Sequence, residues 1–164
     1  MNIFLCGFMG CGKSTVGRLL AKNMNMDFYD LDEYIVKNEG RSIPDIFSQD
    51  GEGYFRDLET KAIKSFADKE NCVIALGGGA VLRKENALAA KAQGEVVYIK
   101  AEFDTCYERI CGDTNRPLAS GADKESLEKR YNDREPIYSD AASVTVFADG
   151  TPEEIAQLIE VSVK

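Results

Sequence analysis

The residues with the clearest chemical purpose lie near the start of the chain. Residues 7–14 read Gly-Phe-Met-Gly-Cys-Gly-Lys-Ser and fit the phosphate-binding pattern G-x-x-x-x-G-K-[ST] at every fixed position. Glycines let the backbone wrap a phosphate with its N–H groups pointing inward, and a helix N-terminus adds partial positive charge. Lys13 is expected to reach the β- and γ-phosphates, and the Ser14 hydroxyl is expected to hold Mg²⁺. The stretch therefore predicts a site for a nucleoside triphosphate with Mg²⁺.

A second pair of reactive groups lies at Asp30 and Asp32, in the segment Tyr-Asp-Leu-Asp that ends a predicted strand. Carboxylates two residues apart at a strand end point to the same side. One is suited to support Mg²⁺ through water, and the other to accept the proton of an attacking hydroxyl. The alternative is that one or both cap the helix near Glu33.

The class of phosphate-loop protein follows from what the chain lacks. It has no N-K-x-D guanine motif, which disfavours a GTPase, and its 164 residues leave little room for the extra elements of a transport or helicase ATPase. A small-molecule kinase is the best remaining class. Its acceptor site is expected beyond the carboxyl ends of parallel strands.

The elements that must position these groups are short apolar runs alternating with helical stretches. Predicted strands cover residues 2–6, 28–29, 72–76, 96–99 and 144–147. Predicted helices cover residues 13–25, 33–39, 43–49, 53–68, 84–92, 103–111, 124–133 and 152–161. This alternation predicts an α/β fold of three layers, α/β/α, around a five-stranded parallel sheet. No repeat, low-complexity tract or linker interrupts the chain, so residues 1–164 are expected to form a single domain.

Composition excludes several other chemistries. The 28 acidic and 20 basic residues give a net charge of −8, which disfavours nucleic acid and anionic membranes as partners. Histidine is absent, which removes every mechanism that needs an imidazole. The five cysteines contain no C-x-x-C, and the chain has neither a secretion signal nor a long apolar stretch. A cytoplasmic monomer acting on small molecules is the expectation.

Six segments together resemble the shikimate kinase family, which belongs to the nucleoside monophosphate kinase-like group of phosphate-loop folds. The six are GFMGCGKSTVGR (7–18), DLDEYI (30–35), GRSIPDIFSQDGEGYFRDLE (40–59), LGGGAV (76–81), NRPL (115–118) and the R-x-P-x-Y segment at 134–138. The resemblance covers nearly the whole chain. It implies a phosphate-loop kinase fold with substrate-binding helices over about 32–67 and a lid over about 112–122. It also implies transfer of the γ-phosphoryl group of ATP to the 3-hydroxyl of shikimate, in aromatic amino acid biosynthesis.

The resemblance assigns a role to each matched residue. The implied catalytic residues are Lys13, Asp32, which orients or deprotonates the 3-hydroxyl, and Arg116, which closes over the transferring phosphoryl group from the lid. The implied ATP-binding residues are Gly10, Cys11, Gly12, Lys13, Ser14, Thr15, Arg109, Arg116 and Pro152. The implied shikimate-binding residues are Asp32, Arg56, Gly77, Gly78, Gly79 and Arg134, of which the two arginines bind the carboxylate. Ser14, and Asp30 through water, would hold Mg²⁺.

Simpler interpretations stay open at several of these positions. Arg56 can pair only with Glu52 and Glu59 on the surface, and Arg134 can lie on a solvated helix face. The three glycines can form a bare tight turn. Cys11 is either a reactive thiol that bound ATP shields or a small side chain that points away.

Two other functions compete with a shikimate kinase. A gluconate kinase would share the phosphate loop and the fold, but residues 40–59 and 76–81 argue against it. A nucleotide-binding module without catalysis would be expected to have lost Lys13, Asp32 or Arg116, and all three are present.

Overall fold

The computed structural model describes residues 1–111 and 123–164, and its elements alternate between strand and helix. The strands are β1 (Asn2–Cys6), β2 (Asp27–Asp30), β3 (Cys72–Ala75), β4 (Gly94–Lys100) and β5 (Val144–Phe147). The helices are α1 (Lys13–Met24), α2 (Leu31–Glu39), α3 (Ile43–Ser65), α4 (Lys84–Gln93), α5 (Phe103–Cys111), α6 (Lys124–Ala141) and α7 (Pro152–Val163). Short 3-10 turns cover Phe66–Asp68 and Ala80–Leu82.

The five strands form one parallel sheet in the order β2-β3-β1-β4-β5. The sheet lies between layers of helices, so the predicted three-layer α/β/α fold is confirmed. All residues of β1 and β3 are buried, as expected of strands covered on both faces. Leu5 of β1 pairs with Ala75 of β3, and Asp30 of β2 also pairs with Ala75. The segments that follow β1, β2 and β3 therefore leave the sheet side by side at the carboxyl ends of these strands.

Two predicted boundaries on the acceptor side were wrong. Helix α2 begins at Leu31, so Asp32 lies in the first turn of a helix and not at a strand end. The predicted helices over 43–49 and 53–68 are joined into α3 with a kink at Gly51, whose backbone angles (φ 86°, ψ 171°) are not helical. The predicted interruption and the kink fall at the same place because glycine adopts such angles without steric cost.

Helix α6 differs most from its prediction. The predicted helix ends at residue 133, whereas α6 continues through Pro136 to Ala141. A proline inside a helix costs about 3 kcal/mol, so another contribution must offset it. Tyr138 and Ala141 are 1% and 5% exposed, and their burial against the sheet supplies that contribution. Within the described ranges, none of the helices has the length and apolarity needed to cross a bilayer.

Candidate active site

The phosphate loop connects β1 to α1, as predicted. Gly10 and Gly12 adopt left-handed backbone angles, with φ of 81° and 96°. Gly12 is the N-cap of α1 and supplies no side chain to the first N–H groups of the helix. Those groups and the helix dipole are therefore available to an anion at the start of α1.

Lys13 folds back over the phosphate loop. Its Nζ donates hydrogen bonds to the carbonyl oxygens of Gly7 at 2.7 Å and Phe8 at 3.2 Å. The same Nζ lies 3.8 Å from Cys11 Sγ. Cys11 is only 1% exposed, so the protein itself covers this thiol. This geometry favours the interpretation in which the Cys11 side chain points away from a ligand.

A cavity of about 380 Å³ opens beside the loop. It is lined by Gly10, Cys11, Gly12, Lys13, Ser14, Thr15, Val16, Arg109, Gly150, Pro152 and Ile155. Every predicted ATP-binding residue within the described ranges therefore contributes to one cavity. Arg109 crosses to the loop, where its Nη1 donates to the Gly10 carbonyl at 3.0 Å. Gly150 falls within residues 149–152, which the family resemblance implies as a wall of the adenine pocket. Val16 and Ile155 were not predicted, although Ile155 lies one turn after Pro152 on the buried face of α7.

Ser14 and Asp30 meet at the edge of this cavity. The Ser14 hydroxyl donates to Asp30 Oδ2 at 2.8 Å, and Asp30 Oδ1 accepts from the Glu33 backbone N–H at 3.2 Å. Asp30 therefore caps α2, which confirms the helix-cap interpretation, and its other carboxylate oxygen faces the phosphate loop, where the predicted role toward Mg²⁺ stays a prediction. The described Cys, Asp and Glu residues form no group of three that would hold a metal by themselves. Two protein oxygens beside a phosphate site nevertheless fit Mg²⁺, which keeps several waters and takes phosphate oxygens.

Three glycines follow β3 and bring separate side chains together. The Ala80 N–H donates to the Gly77 carbonyl at 3.1 Å and closes the turn. A methyl group placed on Gly77 would lie 2.9 Å from Asp32 Oδ1, and one on Gly79 would lie 2.6 Å from Arg56 Nη1. A side chain at either position would displace the Asp32 carboxylate or the Arg56 guanidinium, so the present placement of these two groups depends on glycine. We refer to Gly77–Gly79 as the glycine turn.

Arg56 lies over the glycine turn between two acids of α3. Its Nη1 is 2.8 Å from Glu59 Oε1, and its Nη2 is 3.2 Å from Glu52 Oε1. The Glu59 side chain is 1% exposed and that of Glu52 is 66% exposed, so this is not a purely superficial pairing. Burial raises the pKa of Glu59, against the lowering effect of Arg56. Within the described part of the chain, Glu59 Oε2 has no hydrogen-bond partner.

Arg134 approaches the glycine turn from α6. A methyl group on Gly78 would lie 3.5 Å from Arg134 Nη1, which is ordinary contact. Arg134 is partly buried and faces the turn, so the structure does not support its interpretation as part of a solvated helix face. One turn further along α6, the Tyr138 hydroxyl donates to the Gly78 carbonyl at 2.6 Å.

The glycine turn lies next to the phosphate loop, and we refer to Asp32, Arg56 and Arg134, which approach the turn, as the acceptor cluster. A methyl group on Gly78 would lie 3.9 Å from the backbone nitrogen of Met9, in the middle of the phosphate loop. Asp32, Arg56 and Arg134 therefore surround a turn that adjoins the nucleotide cavity. Arg116 and the predicted lid over 112–122 lie outside the described residues. Sequence reasoning left Tyr138 out of the site, although it belongs to the R-x-P-x-Y segment. For Glu59 it left two interpretations open, a surface partner of Arg56 or a group that holds the Arg56 guanidinium in place, and the burial of Glu59 favours the second.

A phosphate-binding loop next to a turn that two arginines approach, at the carboxyl ends of parallel strands, is the arrangement that a phosphate-loop kinase of small anionic molecules requires. A family model for shikimate kinases matches residues 9–164, so the chain belongs to the shikimate kinase family. A shikimate kinase of Aquifex aeolicus is 40% identical over all of this chain and 96% of its own length. The solved structure of the shikimate kinase from Acinetobacter baumannii, in complex with shikimate, has a TM-score of 0.92 and 35% identity over 99% of this chain and 92% of that one.

The comparisons also bear on the two alternatives. A gluconokinase from Sinorhizobium meliloti is 16% identical with a TM-score of 0.59 over 95% of this chain and 87% of that one, so the likeness extends to the fold alone. Membership of an enzyme family argues against a nucleotide-binding module without catalysis.

Proposed function

We propose that this protein transfers the γ-phosphoryl group of ATP to the 3-hydroxyl of shikimate, giving ADP and 3-phosphoshikimate for aromatic amino acid biosynthesis. The observation that carries the proposal is the convergence of Arg56 and Arg134 on a glycine turn that adjoins the phosphate loop. A chain with a net charge of −8 repels anions, so it needs such local cations to hold a carboxylate. Guanidinium groups are suited to this because they bind carboxylates through two hydrogen bonds.

The side chains at the two ends of the glycine turn bind two different groups of the acceptor. Arg56 lies against Gly79 and Arg134 faces Gly78, so the acceptor carboxylate binds at this end. Asp32 lies against Gly77 at the other end, where it accepts a hydrogen bond from the reacting hydroxyl. Lys13 and the loop N–H groups hold the triphosphate and neutralise charge on the transferring group. Arg116 is proposed to add its charge to the same group.

Asp32 is proposed to orient the hydroxyl more than to remove its proton, because phosphoryl transfer has a loose transition state that demands little early proton removal. An Asp32→Asn variant tests this choice, since the amide still accepts a hydrogen bond but cannot take a proton. A modest loss of turnover supports orientation, whereas a loss beyond about 10⁴-fold identifies a true general base.

The proposal includes Mg²⁺ held by Ser14 and, through water, by Asp30; the ion would supply further positive charge to the phosphate oxygens. The 2.8 Å bond between these side chains supports it, because it brings two oxygen ligands together beside the loop. Activity should require added Mg²⁺ and should be lost with a chelator.

We also propose that residues 1–164 act as one cytoplasmic kinase unit, with α2 and α3 as its acceptor-binding part, and that the unit is a monomer. Light scattering after size-exclusion chromatography tests the oligomeric state.

A single assay tests the reaction. ADP release is measured with shikimate, with gluconate, with nucleoside monophosphates and with no acceptor, and the product is identified by phosphorus NMR. Release with shikimate alone, and phosphate on the 3-hydroxyl, is the expected result. Faster release with gluconate or with a nucleoside monophosphate would contradict the proposal and identify that compound as the acceptor. Release that needs no acceptor other than water would contradict it too and would show that the protein is an ATPase.

A further inference from the structure

Tyr138 lies at the centre of the acceptor cluster, on the part of α6 beyond Pro136. It is 1% exposed, and its ring packs against Tyr98 with centroids 5.3 Å apart. Its hydroxyl donates to the Gly78 carbonyl at 2.6 Å. A buried tyrosine hydroxyl usually finds a hydrogen-bond partner, and here that partner is the backbone of the glycine turn.

The same hydroxyl also meets Arg134. A methyl group on Gly78 would lie 3.5 Å from Arg134 Nη1 and 3.8 Å from Tyr138 Oη, so both groups lie over one glycine. Burial raises the pKa of Tyr138, and the charge of Arg134 and a hydrogen bond from it act in the opposite direction.

The direction of these hydrogen bonds follows from the groups involved. A guanidinium has donors and no acceptor, and a backbone carbonyl has no hydrogen to give. The Tyr138 hydrogen goes to the Gly78 oxygen, so the Tyr138 oxygen presents only lone pairs toward Arg134. One hydroxyl thus fixes the turn and lies beside the cation that faces the same turn.

This bond restricts a flexible segment. Three consecutive glycines have more backbone freedom than any other tripeptide, and ordering them costs free energy. In a trans peptide the N–H points away from the carbonyl, so fixing the Gly78 oxygen also fixes the direction of the Gly79 N–H. At the other end, Asn86 Nδ2 donates to the Ala80 carbonyl at 2.8 Å. The turn is therefore held from both sides, and Tyr138 provides the hold nearest the cationic groups.

We propose that Tyr138 is a positioning residue for acceptor binding, whose hydroxyl holds the Arg134 guanidinium and the Gly78–Gly79 peptide in their binding orientations together. The inference rests on the proposed function, because it takes shikimate as the acceptor. Tyr138 touches neither nucleotide nor reacting atoms in this scheme; it acts through Arg134 and the turn.

The test replaces Tyr138 with Phe, which keeps the buried ring and removes only the hydroxyl. The KM for shikimate is expected to rise about tenfold, on the scale of a lost hydrogen bond to a charged group. The KM for ATP should change by less than about twofold, because the phosphate loop is untouched. Calorimetric titration of shikimate without nucleotide should show the same loss as a weaker Kd.

Tyr131→Phe is the matched control. Tyr131 lies on the same helix, and its hydroxyl donates to the Ala101 carbonyl at 2.6 Å, away from the glycine turn. Both variants are expected to lower the thermal midpoint similarly, and only Tyr138→Phe should raise the KM for shikimate. An unchanged KM for shikimate in Tyr138→Phe, or an equal rise in both variants, would overturn the proposal.

A second measurement separates positioning from general loosening of the fold. Shikimate methyl ester lacks the negative charge that Arg134 is proposed to bind, so the ratio of variant to wild-type KM should be smaller for the ester than for shikimate. Equal ratios for the two acceptors would contradict the role assigned to Tyr138. Failure of the proposed function is recognised separately, because the wild-type protein would then release no ADP with shikimate.

Discussion

The nucleotide side and the acceptor side of this protein are built in different ways. The phosphate loop is a run of eight consecutive residues, and the groups it offers to a phosphate are mostly backbone N–H groups, including those at the start of α1. The acceptor cluster draws its side chains from α2, α3 and α6 and gathers them around the glycine turn. The first is local and made of backbone, whereas the second exists only once the fold is complete.

The difference shows in how each side stabilises charge. On the nucleotide side, Lys13 and Arg109 both donate to carbonyl oxygens of the phosphate loop, and peptide dipoles add further positive potential. On the acceptor side, Arg56 is held by an exposed acid and a buried one, and Arg134 lies beside a buried tyrosine. Changes on the acceptor side should therefore couple binding to stability more strongly than changes on the nucleotide side.

The largest effect is expected at Lys13. Lys13→Met removes the charge that neutralises the transferring phosphoryl group, and turnover should fall by about 10³-fold. Stability should change little, because Lys13 is partly exposed and its partners are loop carbonyls. Coupled ADP release and thermal unfolding check both statements. Lys22→Met, at the exposed end of α1, is the control and should keep wild-type turnover. Unaltered turnover in Lys13→Met would remove this residue from the mechanism.

The next largest effect is expected at Arg56, where binding and stability should fall together. Arg56→Met should raise the KM for shikimate by about 10²-fold, since a bidentate charged contact is lost. It also leaves Glu59 buried without its partner, at a cost of about 3–5 kcal/mol. Denaturant unfolding and steady-state kinetics measure the two losses.

The double variant Arg56→Met with Glu59→Gln separates these losses. It removes the buried charge as well, so it should recover stability and leave the KM for shikimate high. If the double variant recovered acceptor binding too, Arg56 would serve the fold and not the acceptor.

A smaller effect is expected from the titration of Glu59. Burial raises its pKa, so the folded chain holds this proton more tightly than the unfolded chain, where glutamate titrates near about 4.3. The stability that this group contributes is present below that pH and is lost as the pH rises through the raised value. Glu59→Gln should therefore gain stability relative to wild type as the pH rises from about 4 to about 7.

Urea unfolding at several pH values measures this trend. Glu52→Gln is the control, because it removes the exposed partner of the same arginine, and that carboxylate remains in water in both states. A Glu59→Gln variant whose relative stability declines with rising pH would show that Arg56 outweighs burial.

The smallest effects are expected at two helix caps, one on each side. Thr151 Oγ1 accepts from the Glu154 N–H and caps α7, and Ser42 Oγ accepts from the Asp45 N–H and caps α3. Each change to Ala should cost about 1 kcal/mol of stability. Of the two KM values, Thr151→Ala should change that for ATP and leave that for shikimate unchanged, because Gly150 and Pro152 line the nucleotide cavity. Ser42→Ala should affect only the KM for shikimate, and crossed effects would contradict the division into two sides.

The same division explains how much could be predicted. The phosphate loop, including Ser14, could be predicted from the sequence because its residues are adjacent both in the sequence and in space. Asp32 was predicted from its spacing to Asp30, whereas Arg56 and Arg134 were predicted only through a family resemblance, since no local pattern connects two different helices. Tyr138 was missed because its place beside the glycine turn depends on the continuation of α6 past Pro136, and the role of Glu59 stayed open because it depends on burial. Packing decides that continuation, and propensity alone argues against it.

The pairing of β1 with β3 has a consequence for the distance over which phosphate must travel. Leu5 and Ala75 are paired, and the donor loop and the acceptor turn each begin within two residues of that pair. A slip of two residues, the smallest that keeps each side chain in its own layer, would separate the two loops by about 6.6 Å. In-line transfer cannot bridge such a gap, since reacting atoms must approach to about 3–3.5 Å. The ladder of backbone hydrogen bonds deep in the sheet is therefore part of the catalytic apparatus, although none of its atoms touches either substrate.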